Sequence, residues 1–284
     1  MRGKKLLLLL LCLCFLPMLT GCGREFDNYR PIEDVNNLEG RKIGVNLGWP
    51  TDYILTPRDG KDLILYRYDT SADMLMAMFY HQIDALCLDY LDVCVLENSN
   101  GDAVHRIEEP VATDGYLAFI SSEREDLRDA FNQFLEYYHQ TDEFSELHQR
   151  LMRFDGENYE PGEYIHPNGN GEKIKVAVDV SCFPYCYDEP DGTICGYDIE
   201  MMYAFADYFD YAIEFVATAY IDLQYGLTEN RYDMGIGILS STYIKDVEPM
   251  GIYWSNAYYE MPMYLIELVE GRKPVMLDEY YIAG

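Results

Sequence analysis

Cysteine and carboxylate are the side chains whose spacing in this sequence invites a chemical reading. Cys182, Cys186 and Cys195 lie close together, and thiolates so spaced hold zinc when a fourth ligand completes the tetrahedron. No histidine is near them, so no metal is expected and the thiols read as buried or free. Hydrolytic chemistry would need a nucleophile paired with a base, or two carboxylates set to exchange a proton. Neither constellation stands at a convincing spacing, and no cofactor is implied. The chain reads as a binder and not an enzyme. Among the carboxylates, Asp84 and Asp233 each open an apolar strand and read as structural caps, while Asp89 is either a ligand residue or a helix N-cap. Phe183 and Tyr185 belong to core or to cleft with equal warrant.

Charge narrows the partners. The formal charge is −29; without residues 1–21, which hold three basic residues and no acidic one, it becomes −32. So acidic a surface argues against nucleic acid and against direct adhesion to anionic lipid. A hydrophobic fraction of 49% suffices for a packed core.

The elements that must position these residues alternate. Lys42–Asn46 and Leu63–Arg67 read as strands, and Thr70 caps a helix in which Met74, Leu75, Met78 and Phe79 recur at helical spacing. Ile83–Leu88 is a strand, Asp89–Glu97 a helix, Tyr116–Ile120 a strand, and two helices cover 125–139 and 143–152. The stretch 155–172, rich in Gly, Pro, Asn and Glu, is a linker. A second series follows: strand Lys173–Val178, helix Tyr197–Phe209, strand Ile213–Val216, a helix to about Glu229, and strand Tyr232–Ile236. The two series rhyme, His81-Gln-Ile-Asp84-Ala85 against Asn230-Arg-Tyr-Asp233-Met234, which predicts two α/β lobes of like architecture. The natural ligand site between such lobes is the crevice outside the carboxyl ends of the strands.

Arg2, Lys4 and Lys5 precede an apolar run from Leu6 to Leu16 that is short for a membrane span, as in a signal peptide. Leu19-Thr-Gly-Cys22 resembles the lipobox of bacterial lipoproteins, which implies diacylation of Cys22, a membrane anchor, and the extracytoplasmic face of the cell membrane. Beyond the leader and Cys22 remain Cys87, Cys94, Cys182, Cys186 and Cys195, an odd number that admits no complete disulfide framework.

The second half resembles the extracytoplasmic solute-binding proteins of family 3, the polar-amino-acid ABC-transporter type with the type II periplasmic fold. Asp179-Val-Ser-Cys-Phe-Pro-Tyr185 followed by Asp191-Gly192-x3-Gly196-Tyr197-Asp198-Ile199 is similar to the family's opening loop and "G-x-x-x-G-[FY]-D-[IV]". Arg231-Tyr-Asp233 resembles its "G-K-Y-D", Ser240-Ser-Thr242-x2-Lys245 its "T-x-x-R", and Ser255-Asn-Ala-Tyr-Tyr259 its "F-S-x-P-Y-Y". In the first half, Leu38-Glu-Gly-Arg-Lys-Ile-Gly-Val45-x2-Gly48, Gln82-Ile-Asp-Ala85-x3-Asp89 and Leu127-Arg-Asp-Ala-Phe-Asn132 resemble segments of the other lobe and of the closing helices. The parts stand in an unusual order. Residues 38–120 match lobe two, 121–154 the helices that pack on lobe one, 155–172 a linker, 173–267 lobe one, and 268–284 a tail near the hinge, after a leader 1–21 and a tether 22–37. Circular permutation is the simplest account, since domain termini often lie close together; a tandem array lacking its last lobe is the alternative.

The resemblance implies a ligand set of Asp89, Lys245, Trp49, Thr51, Asp179, Phe183, Tyr185, Ser240 and Thr242. Asp89 would take an ammonium by a charge-assisted hydrogen bond, with Lys245 facing it across the cleft where the family places an arginine. Lysine cannot make that planar bidentate contact, and Lys245 also reads as a solvated cation. Trp49-Pro50 replaces small hydroxyl residues, and proline has no N–H to give. The expectation is capture of a small polar solute, an amino acid or similar, for a transporter permease, with a sensor or a binding-dead scaffold as alternatives and a dehydratase-like enzyme behind them.

Overall fold

The structure, a computed structural model, describes residues 30–162, 169–237 and 239–272. Residues from Ile32 onward form one unit, built as two α/β lobes. The N-terminal lobe holds β1 (Arg41–Asn46), α1 (Pro50–Leu55), β2 (Leu63–Tyr68), α2 (Ser71–Phe79), β3 (Ala85–Asp89), α3 (Tyr90–Asn100), β4 (Val104–Arg106) and β5 (Ala112–Tyr116). The inserted lobe holds β6 (Phe119–Ile120), α4 (Glu125–Tyr138), α5 (Asp142–Met152), β7 (Lys173–Val178), β8 (Ser181–Cys182), β9 (Cys186–Asp188), β10 (Ile194–Cys195), α6 (Tyr197–Phe209), β11 (Ala212–Ala217), α7 (Tyr220–Thr228), β12 (Met234–Ile236), α8 (Ile244–Val247) and β13 (Tyr253–Trp254). The chain then returns as β14 (Tyr259–Leu268). Among the described residues no helix is long and apolar enough to cross a membrane.

Each lobe is organised around a parallel pair of strands beside a third. In the N-terminal lobe the order is β2-β1-β3-β14-β4, with β5 also on β14; in the inserted lobe it is β11-β7-β12-β6-β13. The sequence rhyme has a physical meaning here. Asp84 accepts from the Lys42 N–H through its carboxylate at 2.7 Å and donates its own N–H to the Lys42 carbonyl at 2.8 Å. Asp233 does the same to Lys175, at 2.7 and 2.9 Å. Each aspartate therefore closes the open end of the pairing between the lobe's central strand and its neighbour, satisfying an N–H that the parallel ladder leaves free. Thr70 caps α2 by accepting from the Asp73 N–H at 3.1 Å.

The helices of 121–152 pack on the inserted lobe. Leu127, Phe131, Phe134 and Leu147 share a core with Ile174, Val176 and Phe205, and Phe131 meets Phe205 edge-on at 5.1 Å between ring centres.

Two expected boundaries shift. Tyr116–Ile120 reads as one strand, but the chain crosses between lobes inside it: β5 pairs with β14 in the N-terminal sheet and β6 pairs with β12 and β13 in the other. The segment 259–267, expected in lobe one, instead forms most of β14 in the N-terminal sheet, antiparallel to β3. Pro262 disguises it, since proline cannot donate to a ladder. At Pro262, however, β14 is paired with β5 alone, and the pairing with β3 begins at Met263. The two crossings run side by side, with Tyr258 N–H bonded to the Tyr116 carbonyl at 2.9 Å.

Candidate functional site

The cleft between the lobes, about 360 Å³, lies at the carboxyl ends of β3, β7 and β12. From the N-terminal lobe it is walled by Trp49, Asp89, Leu91, Asp92 and Tyr116. The inserted lobe adds Asp179, Ser181, Cys182, Phe183, Tyr185, Tyr220, Gly237 and Tyr243.

Asp89 ends β3 and caps α3, its Oδ1 accepting from the Asp92 N–H at 2.9 Å. Asp89 is therefore an N-cap that also lines the cleft. Asp92 sits one turn further on beside it. Burial raises the pKa of both carboxyls, against backbone N–H donors that lower Asp89. Each is pushed further by a neighbouring carboxylate, Asp92 by Asp89 and Asp89 by Asp114 on β5. Asp179, just past β7, accepts from the Ser181 hydroxyl at 2.7 Å and from the Tyr220 N–H at 3.0 Å, so it fixes the start of α7 while facing the cleft.

The aromatic loop after β7 is held from behind. Gly196 has φ +126°, and a Cβ there would stand 2.2 Å from the Tyr185 carbonyl oxygen; only glycine lets the two segments approach so closely. Tyr197 and Asp198 then donate their N–H groups to the Pro184 and Tyr185 carbonyls at 3.1 and 2.9 Å. Tyr185 is buried, 5.5 Å from the Tyr116 ring centre, and its hydroxyl has no hydrogen-bond partner among the described residues. Phe183, 41% exposed, leans edge-on against Tyr187 and Phe154. The Cys182 thiol is pushed up to about 12, chiefly by burial, and so stays protonated.

Trp49, Asp89, Asp179, Phe183 and Tyr185, all expected at a ligand, thus border one cavity. Thr51 does not; it borders a small adjoining hollow behind Asp89 and Trp49. Ser240 and Thr242 are also absent from the lining. The Ser240 hydroxyl is turned inward to cap the 3-10 turn Ser241–Tyr243, accepting from the Thr242 N–H at 3.0 Å.

Lys245 departs furthest from expectation. It does not face Asp89 across the cleft: its side chain is exposed on the outer rim, with Nζ 4.0 Å from the centre of the Tyr53 ring of α1. The cause is the single helical turn α8, which buries Val247 and so turns Lys245 outward. Around it the lobes touch through Tyr53 and Tyr243, edge-on at 5.9 Å, and through the Tyr243 hydroxyl, which donates to the Gly48 carbonyl at 3.4 Å. At the hinge side the Ser241 hydroxyl donates to Asp114 at 2.8 Å.

Asp92, Tyr116, Tyr220 and Tyr243 were not anticipated as lining residues. The signal for Asp92 was available, because a helix capped by Asp89 must bring the residue three further on back to the cap. Among the described residues no group of three or more His, Cys, Asp and Glu side chains gathers to hold a metal. Cys22 lies outside the described residues.

Residues 174–247 match the family of bacterial extracellular solute-binding proteins, family 3. Among solved structures, the chain is similar to the L-cystine solute receptor of Neisseria gonorrhoeae at 28% identity and TM-score 0.23, over 24% of this chain and 29% of that one. It is also similar to a phosphate-binding protein of a phosphate ABC transporter from Streptococcus pneumoniae (10%, TM-score 0.37, 80% of this chain and 88% of that one). A third is the ligand-binding component of an ABC-type import system from Staphylococcus aureus, solved with zinc bound (10%, TM-score 0.36, 80% and 66%). No curated protein matches. Residues 174–247 carry β7, the aromatic loop, α6, β11, α7 and β12. That segment is the part of the chain that matches the family, and the chain has the two-lobed α/β architecture of the type II periplasmic-binding fold.

Proposed function

We propose that this chain is a lipid-anchored extracytoplasmic binding protein that closes its two lobes over a small solute and delivers it to an ABC-transporter permease. The observation that supports it best is the cleft itself: one cavity at the strand ends, walled from both lobes, with two adjacent chain crossings at Tyr116–Leu117 and Tyr258–Tyr259 as the hinge. A ligand that touches both walls favours the closed arrangement by its differential contacts with it, and that is what a transporter reads. Full-length protein is titrated with amino acids, amines, short peptides and sugars while the fluorescence of Trp49 and the radius of gyration by small-angle scattering are followed. A solute that changes both, with the fluorescence change lost in Trp49→Phe, is the expected result; no response to any solute refutes the reading.

Anchorage follows from the lipobox at Cys22. Cys22→Ser is expected to abolish fatty-acid labelling and to release the protein from membranes, and undiminished labelling removes the anchor from the proposal. The order of parts is accounted for by circular permutation, a reading supported by the packing of 121–152 on the lobe that contains 173–258.

A further inference from the structure

We propose that the cleft takes a small primary-amine cation that lacks a carboxylate, in preference to a zwitterionic amino acid. This rests on reading the cleft as the solute site and adds the chemical class of the solute.

The charge inventory points one way. Asp89 and Asp92 come from one lobe and Asp179 from the other, and no Lys, Arg or His is among the described residues that line the cavity. An amino acid brings a carboxylate that needs a cationic or multiple N–H partner, and Lys245 is committed at the outer rim over Tyr53. Gly237 brings backbone to the cleft, but the nearby Ser240 hydroxyl is fully buried and bonded to Thr242, away from the cavity. Inside this cavity a carboxylate would meet three others, whereas an ammonium would find acceptors on both walls.

The aromatic inventory agrees. Six rings line the cavity: Trp49 and Tyr116 on one wall, Phe183, Tyr185, Tyr220 and Tyr243 on the other. Ring faces carry negative quadrupole density and hold cations well once these are desolvated. The buried Tyr185 hydroxyl has no hydrogen-bond partner among the described residues, so its oxygen can accept from an ammonium N–H. The phenols that border the site stay protonated: burial chiefly, with Asp89 and Asp114 nearby, raises Tyr116, and burial pushes Tyr220 up to about 12. A bound cation would also offset the mutual repulsion of the Asp89 and Asp92 carboxylates. A formal charge of −29 draws cations toward the protein from a distance. The cavity, about 360 Å³, suits a solute no larger than one ring with a short chain.

Matched pairs that differ only in the carboxylate make the test. Full-length protein is titrated calorimetrically with phenethylamine against L-phenylalanine, and with isoamylamine against L-leucine. Each amine is expected to bind at least tenfold more tightly than its amino acid. Asp92→Asn is expected to weaken the amine at least tenfold while leaving the amino acid unchanged or improved. Asp89→Asn should do likewise, since asparagine caps a helix as well as aspartate and keeps α3 intact. Equal or tighter binding of the amino acids, or amine affinity unmoved by either variant, overturns the inference. So does tighter binding of Ca²⁺ alone at the same carboxylates. A response of Trp49 fluorescence to inorganic phosphate or glucose, with none to the amines, overturns it and leaves the cleft standing as a solute site; no response to any probe removes both.

Discussion

Replacing Tyr185 by Phe separates what the cleft needs for stability from what it needs for binding. The Tyr185 ring is seated between Tyr116 at 5.5 Å, Tyr197 at 6.1 Å and Tyr259 at 6.1 Å, and phenylalanine keeps every one of those faces. What it removes is a buried hydroxyl with no partner. Burying an unsatisfied polar group costs about 1–3 kcal/mol, so the ligand-free protein should gain about that much. In a unit of this length 1 kcal/mol moves the melting temperature by about 2–4 °C, which gives an expected rise of about 2–12 °C in calorimetry without ligand. With a saturating amine the sign reverses. The hydroxyl becomes the acceptor of a charged donor, a bond contributing about 1.5–3 kcal/mol, and Tyr185→Phe should bind about ten- to a hundredfold more weakly. Greater stability with poorer binding is the signature of a group kept for function at the expense of packing. An unchanged or lower melting temperature in the ligand-free variant would refute the reasoning, because it would mean that the hydroxyl is already satisfied.

Two further perturbations probe the charges. The pKa values of Asp89 and Asp92 are raised in the folded state, so between the unfolded value near 3.8 and the raised values the native protein binds more protons than the unfolded chain, and stability falls as pH rises through that window. Asp92→Asn removes one of the two facing carboxylates, leaving Asp89 and Asp114, and should stabilise the ligand-free protein at pH 7 by about 1–3 kcal/mol; urea midpoints of the two proteins should converge as the pH is lowered toward 4. Lys245→Ala removes an exposed cation–π contact across the rim, of about 0.5–1 kcal/mol, so affinity should drop no more than about fivefold with the amine-to-amino-acid preference unchanged. A reversal of that preference in calorimetry would show that Lys245 reads a ligand carboxylate after all.

The fold was legible because its two lobes repeat one local device. A buried parallel strand flanked by an aspartate that closes its open end leaves a recognisable string, and it occurs as Ile83-Asp84-Ala85 and as Tyr232-Asp233-Met234. Helical periodicity was equally plain in α2, where the burial of Met74, Leu75 and Met78 follows the spacing of the apolar residues. The return strand β14 was hidden by Pro262, whose missing N–H is harmless only because β14 pairs on one side at that point. No local pattern encodes which edge of a strand will be empty. Nor does the run Tyr116–Ile120 announce that its two ends belong to different sheets, since a hinge strand has the same composition as any other buried strand.

The site was legible where a residue's role is fixed by its own strand end, and obscure where it depends on a partner lobe. Asp89 and Asp179 follow β3 and β7, so their exposure to the crevice was determined by strand direction alone. Lys245 stands on a turn whose orientation is set by the burial of Val247 and by the Tyr53 ring of the opposite lobe, and neither is visible from the spacing Ser240-x4-Lys245. The consequence reaches past one residue. A binder of zwitterions must offer in its cleft an acceptor set for the ammonium and a cation or several N–H donors for the carboxylate. Moving the one expected cation to the rim, where it bridges the lobes through an aromatic face, leaves the interior to carboxylates and rings. The same displacement that removes a carboxylate partner also supplies a contact between the lobes, so on the proposed reading Lys245 and Tyr243 hold the lobes together while Asp89 and Asp92 select the solute.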